Sequence, residues 1–333
     1  MTTWTDRLTW HELPLPVRQR VEAAVGSHVV DAVSQPGGFT GGTADRVRFA
    51  DGARAFVKAI PEHRNPGAHR MHRREAAVMR TLPVAVPAAP FIAAFDLAVV
   101  PADGGRPAAL YTGDAATEDA VLERWTGLIL GDIQGRHPVA LDATRVLDAL
   151  AEMSAITPPA GLPSASDELA PDSFGWEHLV RDRALSTVPR EHAPWVGDNL
   201  ERLRATSLRM PAAVAGTALV HLDCRADNIL IDTSGAARLV DWPWAGVGAP
   251  WVDALTYLVD LQRTEPSSDP LELLRHPVFA AASVDDVDAL LSALGGMWFD
   301  RARTPPPAGL THLREFQRVE AIAALELLRQ RWA

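Results

Sequence analysis

Residues 220–232 read VHLDCRADNILID. The ends of this stretch are apolar and strand-like, and its middle spells His-x-Asp-x-x-x-x-Asn with His221, Asp223 and Asn228. Thirteen residues beyond Asn228, RLVDW delivers a further carboxylate, Asp241, at the end of an apolar strand. Phosphoryl transfer from ATP needs this inventory: one carboxylate to accept or orient a hydroxyl proton, and hard oxygen ligands to hold Mg²⁺ against the phosphates. Short strands between the two segments let the side chains converge on one ion. Taken singly, each residue reads first as a turn former, and His221 as a satisfied, half-buried histidine. The ordered set carries the signal.

Upstream, FVKAI at 56–60 holds Lys58, the only lysine among 32 Lys plus Arg. Val47 and Phe49 alternate with Arg46 and Arg48, Asp51-Gly52 turns the chain, and Ala53–Ile60 forms the next strand. A strand near Val29–Val33 completes a meander, with Gly37, Gly38, Gly41 and Gly42 around Phe39-Thr40 in its first turn. That glycine run reads as a loop whose N–H groups close on phosphates, with an ordinary hairpin turn as the alternative. Helices are expected over 13–25 and 68–82, the second stopped by Pro83. Strands follow at PFIAAFDLAVV and TGLILGDI, the latter broken by QGRHP. Beyond it the pattern is mostly helical: 141–156, 175–187, 191–208, WVDALTYLVDLQR and the final LREFQRVEAIAALELLRQRW, with 157–173 read as a surface loop. The expected fold class is α+β, with a small β-rich part at 1–131 and a larger, mainly α-helical part at 132–333.

These motifs resemble the aminoglycoside phosphotransferase and choline kinase branch of the protein-kinase-like fold, over about residues 30–260. HLDCRADNIL, LVDWPWAGVGAPWVDAL, FVKAI and LILGDIQGRHP carry the resemblance. It implies two lobes with a nucleotide cleft between them. Asp223 is then the catalytic aspartate, Asn228 and Asp241 are Mg²⁺ ligands, and Lys58 contacts the α- and β-phosphates of ATP. Glu75, seventeen residues on, is implied as the ion-pair partner of Lys58. Gly131, Asp132 and Ile133 match the hinge where adenine meets backbone, and Gly38, Phe39, Thr40 and Gly41 the phosphate loop. Asp253 matches a carboxylate that braces the catalytic loop.

Arg225 lies where it would neutralise the transferred phosphoryl group, or pair with Asp227 at the surface. Cys224 beside His221 raises a Cys–His nucleophile, for which no acyl-transfer context exists. Trp242, Trp244 and Trp251 read as core packing, and His28, His63, His69 and His72 as surface residues without ligand spacing.

Composition bounds the rest. A net charge of −10 and the lack of a basic stripe argue against nucleic acid or an anionic membrane as partner. One cysteine allows no internal disulfide, MTTWTDRLTW is no signal peptide, and no run spans a membrane, so a cytoplasmic monomer or homodimer is expected. The partner is a hydroxylated small molecule: an antibiotic, an amino sugar or a related metabolite such as choline. The chain ends RQRWA, not in the acidic residues of several aminoglycoside-specific relatives, so the acceptor stays open. The rivals are a non-catalytic nucleotide-binding regulator of the same fold, which the intact residue set opposes, and a metal-dependent hydrolase using Asp223 and Asp241 without ATP.

Overall fold

Strands β1 (Val29–Ser34), β2 (Thr43–Phe49) and β3 (Arg54–Pro61) form the meander that the Asp51-Gly52 turn predicts. Asp51 Oδ1 accepts the Ala53 N–H at 2.9 Å, an Asx turn that closes the hairpin. The computed structural model describes residues 7–36, 41–103, 106–112, 121–306, 310 and 312–333. With β4 (Phe91–Val100), β5 (Ala109–Leu110) and β6 (Glu123–Gly131), the strands make one antiparallel sheet of order β1-β2-β3-β6-β4-β5.

Period-two alternation decides what each face of β3 does. Ala55, Val57 and Ala59 enter a core with Val47, Phe49, Val99, Trp125 and Ile129, closed by Trp10, Leu13 and the α1 (Leu15–Val25) residues Val17 and Val21. Lys58 belongs to the other row. Helix α2 (Pro66–Met79) starts with Pro66 after Asn65, whose Oδ1 caps the Ala68 N–H at 3.0 Å. Its buried stripe Ala68, His69, His72, Glu75, Ala76 and Met79 keeps helical spacing, so His69 and His72 are buried. This corrects their reading as surface residues; His28 and His63 are exposed, as expected.

The chain divides into two compact units. One comprises Met1–Thr81 and Ala89–Gln134, the other Leu82–Ala88 and Gly135–Ala333. Near the end of the first unit, Asp132 is tied back to β2 and β3. Arg46 Nε and Arg54 Nε reach its carboxylate at 2.6 and 2.8 Å. In the second unit, Leu82–Ala88 adds a bridge between Ala88 and Leu239.

That second unit carries β7 (Gly135–Arg136), β8 (Ala218–Val220), β9 (Ile229–Asp232), β10 (Ala237–Leu239) and β11 (Gly246–Gly248) as two small antiparallel sheets. Its helices are α3 (Ala143–Ser154), α4 (Ala165–Leu169), α5 (Gly175–Arg181), α6 (Ala193–Ser207), α7 (Met210–Ala213), α8 (Val252–Thr264), α9 (Val284–Ala302) and α10 (Leu313–Arg331). Three differ from expectation. Helix α4 lies inside the segment read as a loop, and α7 and α9 occupy regions where the sequence suggested no element. Helix α9 opens on a capping box between Ser283 and Asp286 and is buried nearly all round. Its Gly295-Gly296 pair admits Trp176: a Cβ on Gly296 would stand 2.7 Å from that indole, whose Nε1 donates to the Ser292 carbonyl at 2.8 Å.

Candidate active site

Lys58 sits near the middle of the sheet, opposite Ala44 on β2 and Leu128 on β6. Its Nζ donates to both carboxylate oxygens of Glu75 at 2.8 Å. Glu75 is 1% exposed and Lys58 13%, so water competes little for either charge.

Other nucleotide-site candidates in this unit are occupied to different degrees. Gly41 takes φ +70°, which suits glycine, and its carbonyl accepts the Leu8 N–H at 3.3 Å. Gly37, Gly38, Phe39 and Thr40 lie outside the described residues. The Gly131 N–H donates to the Pro90 carbonyl at 2.7 Å, and the Ile133 carbonyl accepts from Arg46 Nη2 at 2.6 Å. The Asp132 side chain is committed to its two arginines and buried. A ligand at 131–133 therefore meets backbone, not this carboxylate.

In the second unit, a short loop and 3₁₀ turn joins β8 to β9 and presents the 221–228 motif. Helix α8 fixes its start: Asp253, buried in the first turn, accepts the N–H groups of His221 at 2.6 Å and Leu222 at 2.8 Å. Leu222 is thereby held at φ +62°, a region that costs a branched side chain energy. Asp241 is similarly left-handed at φ +68°. Two non-glycine residues in this region flank the site, a concentration of backbone strain typical of functional loops.

His221 is fully buried against the edge of Trp242. Its Nε2 lies 3.1 Å from the Val240 carbonyl, and because a carbonyl only accepts, Nε2 carries the hydrogen. Burial lowers its pKa, so the ring is neutral. It serves as a strut between the loop and the segment bearing Asp241. The Val240 N–H reinforces this by donating to the Asn228 carbonyl at 2.9 Å.

Asn228 Nδ2 donates to the Asp223 carbonyl and to Asp223 Oδ2, both at 2.9 Å. Both bonds use the amide nitrogen, which leaves the amide oxygen for a cation. Of the two expectations for Arg225, the structure shows the pair with Asp227. The guanidinium forms a two-pronged pair with Asp227 at 3.0 Å and reaches Asp223 Oδ1 with Nη1 at 3.3 Å. Burial would lower its pKa, but Asp223 and Asp227 outweigh it and keep the guanidinium charged. Burial raises the Asp223 carboxyl; Arg225 opposes the rise, and Asp241 and Asp227 add to it. With 27% of its side chain open to solvent, Asp223 is reachable.

A Mg²⁺ ion fits this donor set chemically. One carboxylate, Asp241, and one amide oxygen, Asn228, are hard ligands, and Mg²⁺ takes few protein groups and fills its octahedron with phosphates and water. Among the described residues, no three His, Cys, Asp or Glu side chains form a metal cage.

Other candidates resolve as structure. Cys224 is fully buried, and burial together with Asp253, Asp223 and Asp260 pushes its thiol well up, the opposite of an activated nucleophile. Trp242 and Trp251 are core, whereas Trp244 is 40% exposed. Asp172 pairs with Arg301, and Glu177 with Arg204. Sequence reasoning missed His137, whose Nδ1 donates to the carbonyls of Ala226 and Ile229 at 3.1 and 3.0 Å. It also missed Asp260, which accepts the Ala226 N–H at 2.7 Å. Its spacing of seven from Asp253 on α8 was the available signal.

The phosphotransferase enzyme family model matches residues 38–289. No curated protein sequence matches the chain significantly. Among solved structures it resembles a thermostable mutant of aminoglycoside phosphotransferase APH(4)-Ia, in ternary complex with AMP-PNP and hygromycin B. That pair shares 14% identity and a TM-score of 0.56, covering 96% of this chain and 99% of the other. Choline kinase LicA from Streptococcus pneumoniae is similar at 12% identity and TM-score 0.53, covering 94% and 98%. An aminoglycoside phosphotransferase from Alicyclobacillus acidocaldarius follows at 16% identity and TM-score 0.50, covering 93% and 95%. These likenesses give the fold as protein-kinase-like, as the motifs implied. Because the family match runs through most of the chain and into both compact units, the chain belongs to the phosphotransferase enzyme family.

Proposed function

We propose that this phosphotransferase moves the γ-phosphoryl group of ATP to a hydroxyl of a small molecule, with Mg²⁺ held by Asn228 and Asp241. The observation that carries the reading is the 221–228 loop, where a reachable Asp223 carboxylate is fixed between Asn228 and Arg225. Bound ATP and Mg²⁺ supply the phosphoryl group and neutralise its charge.

Asp223 orients the acceptor hydroxyl and takes its proton as the new P–O bond forms and the bond to the ADP leaving group breaks. Arg225 adds positive charge beside the transferred group. Lys58, oriented by Glu75, binds the α- and β-phosphates. The backbone at Gly131, Asp132 and Ile133 receives the adenine, and Gly41 belongs to the loop that closes on the phosphates. Positioning and charge stabilisation supply most of the rate enhancement.

For the acceptor, the similar structures include one with the aminoglycoside hygromycin B bound and one named as a choline kinase. A net charge of −10 suits a cationic acceptor of that kind. The test is ATP consumption against a panel of aminoglycosides, amino sugars, choline and other hydroxylated compounds, with and without Mg²⁺. Acceptor-dependent consumption that needs Mg²⁺ supports the reading. ATP binding without turnover across the panel favours a non-catalytic regulator.

A further inference from the structure

Asp253 and Asp260 stand two turns apart on one face of α8, and each holds main-chain N–H groups of the same loop on opposite sides of Asp223. Asp253 takes those of His221 and Leu222, ahead of it; Asp260 takes that of Ala226, behind it, at 2.7 Å. Asp260 is completely buried and does not stand alone. Arg263, one turn on, donates Nε to Asp260 Oδ1 at 3.0 Å and adds an Nη2 contact to the same oxygen. The same Nε lies 2.8 Å from Glu320 on α10, which is 1% exposed. Phe316, one turn before Glu320, offers its ring to two guanidinium groups. Arg225 of the loop lies 5.0 Å from the ring centroid and Arg263 5.3 Å. A column of contacts therefore runs from α10 through α8 to the residues flanking Asp223.

We propose that Asp260 is a positioning residue for the transfer loop, and that α10, through Glu320 and Phe316, holds Asp260 and Arg225 in the register that aims Asp223. The inference rests on Asp223 as the acting carboxylate. A carboxylate fixed at one flank only pivots about that flank, whereas one fixed at both keeps its angle. A displacement of about 1 Å at the reacting group is enough to cost roughly 10²-fold in rate. Each member of the column is buried or half-buried and holds its neighbour by a directed contact, so a change at one end is passed to the loop.

The test compares basal Mg-ATP hydrolysis, with water as acceptor, in wild type, Asp260→Ala, Asp260→Asn, Phe316→Leu and Asp223→Asn. Rates are referred to folded protein that binds ATP. Asp260→Ala should lower kcat about 10- to 100-fold with little change in KM for ATP. Asp260→Asn, which keeps an oxygen for the Ala226 N–H, should recover most of it. Phe316→Leu leaves every charge in place and should lower kcat in the same direction. Wild-type kcat in Asp260→Ala, with only a lowered Tm, would overturn the proposal in favour of a purely structural role. Where Asp260→Ala does not fold, wild-type kcat in Phe316→Leu would overturn it. Asp223→Asn separates the two levels: if that variant keeps wild-type kcat, the reading beneath the proposal fails. If it is inactive while the Asp260 and Phe316 variants are normal, only the positioning fails.

Discussion

Lys58 Nζ stands 2.8 Å from both carboxylate oxygens of Glu75, the sole lysine of the chain clasped by a nearly inaccessible glutamate. Strand alternation put Lys58 on the α2 side of the sheet, and the buried stripe of α2 put Glu75 in front of it. A compact ammonium meets both oxygens of this carboxylate from one nitrogen. The planar guanidinium of Arg needs other geometry.

Lys58→Arg should therefore lose activity by roughly 10²-fold while folding normally. Glu75→Ala should lose activity and also about 3–5 kcal/mol of stability, because it removes a buried carboxylate from a mostly buried ammonium. Steady-state kinetics and chemical denaturation check both. Full activity in Lys58→Arg would make this lysine an accident of composition.

Asp253 holds two N–H groups at the entry to the loop and keeps Leu222 in its left-handed conformation. Asp253→Ala strands both donors in a buried place, at about 1–3 kcal/mol each. Stability and turnover should fall together. A variant with normal Tm would show that the loop holds its shape unaided.

Cys224 should be inert. An aromatic disulfide reagent should leave the native protein unlabelled and react once the chain is denatured, since burial both shields the thiol and raises its pKa. Cys224→Ala should keep turnover within a few-fold of wild type and lower stability by about 1–2 kcal/mol. Loss of turnover in this folded variant would revive a covalent role for the thiol.

Glu320 gives the pH dependence a sign. Burial and the Asp260 charge outweigh Arg263 and Arg225 and push its carboxyl from 4.5 up to about 8. The folded state then holds this proton more tightly than the unfolded state. Its contribution is complete below the unfolded value and is lost as pH rises through the interval from about 4.5 to about 8. Tm of the wild type should fall across that interval more steeply than Tm of Glu320→Gln, measured by calorimetry in matched buffers. Parallel curves would show that Glu320 titrates normally.

What was legible in the sequence was local. The Asp51-Gly52 hairpin, the period of two around Lys58 and the 221–228 spacing each depend on neighbours a few residues away. What was not legible depended on distant partners. No element was expected over 284–302, yet α9 runs through Gly295-Gly296, where Trp176 packs against the missing side chain. His69 and His72 look polar until the inner stripe of α2 buries them. Asp132 looks available for a ligand, but Arg46 and Arg54 arrive from two strands far away in sequence. Asp260 and Glu320 gain meaning only when α8 and α10 meet beside the loop.

With Asp223 as the proton acceptor and Asp241 as a metal ligand in direct transfer to a hydroxyl, mass spectrometry of the acceptor panel after incubation with Mg-ATP reads the product itself. The expected result is a product heavier by one phosphoryl group with wild-type protein. Its rate should fall about 10²- to 10⁴-fold in Asp223→Ala and Asp241→Ala, with both variants still folded. Phosphorylated product formed at the wild-type rate by either variant would rule out that aspartate's part in the transfer.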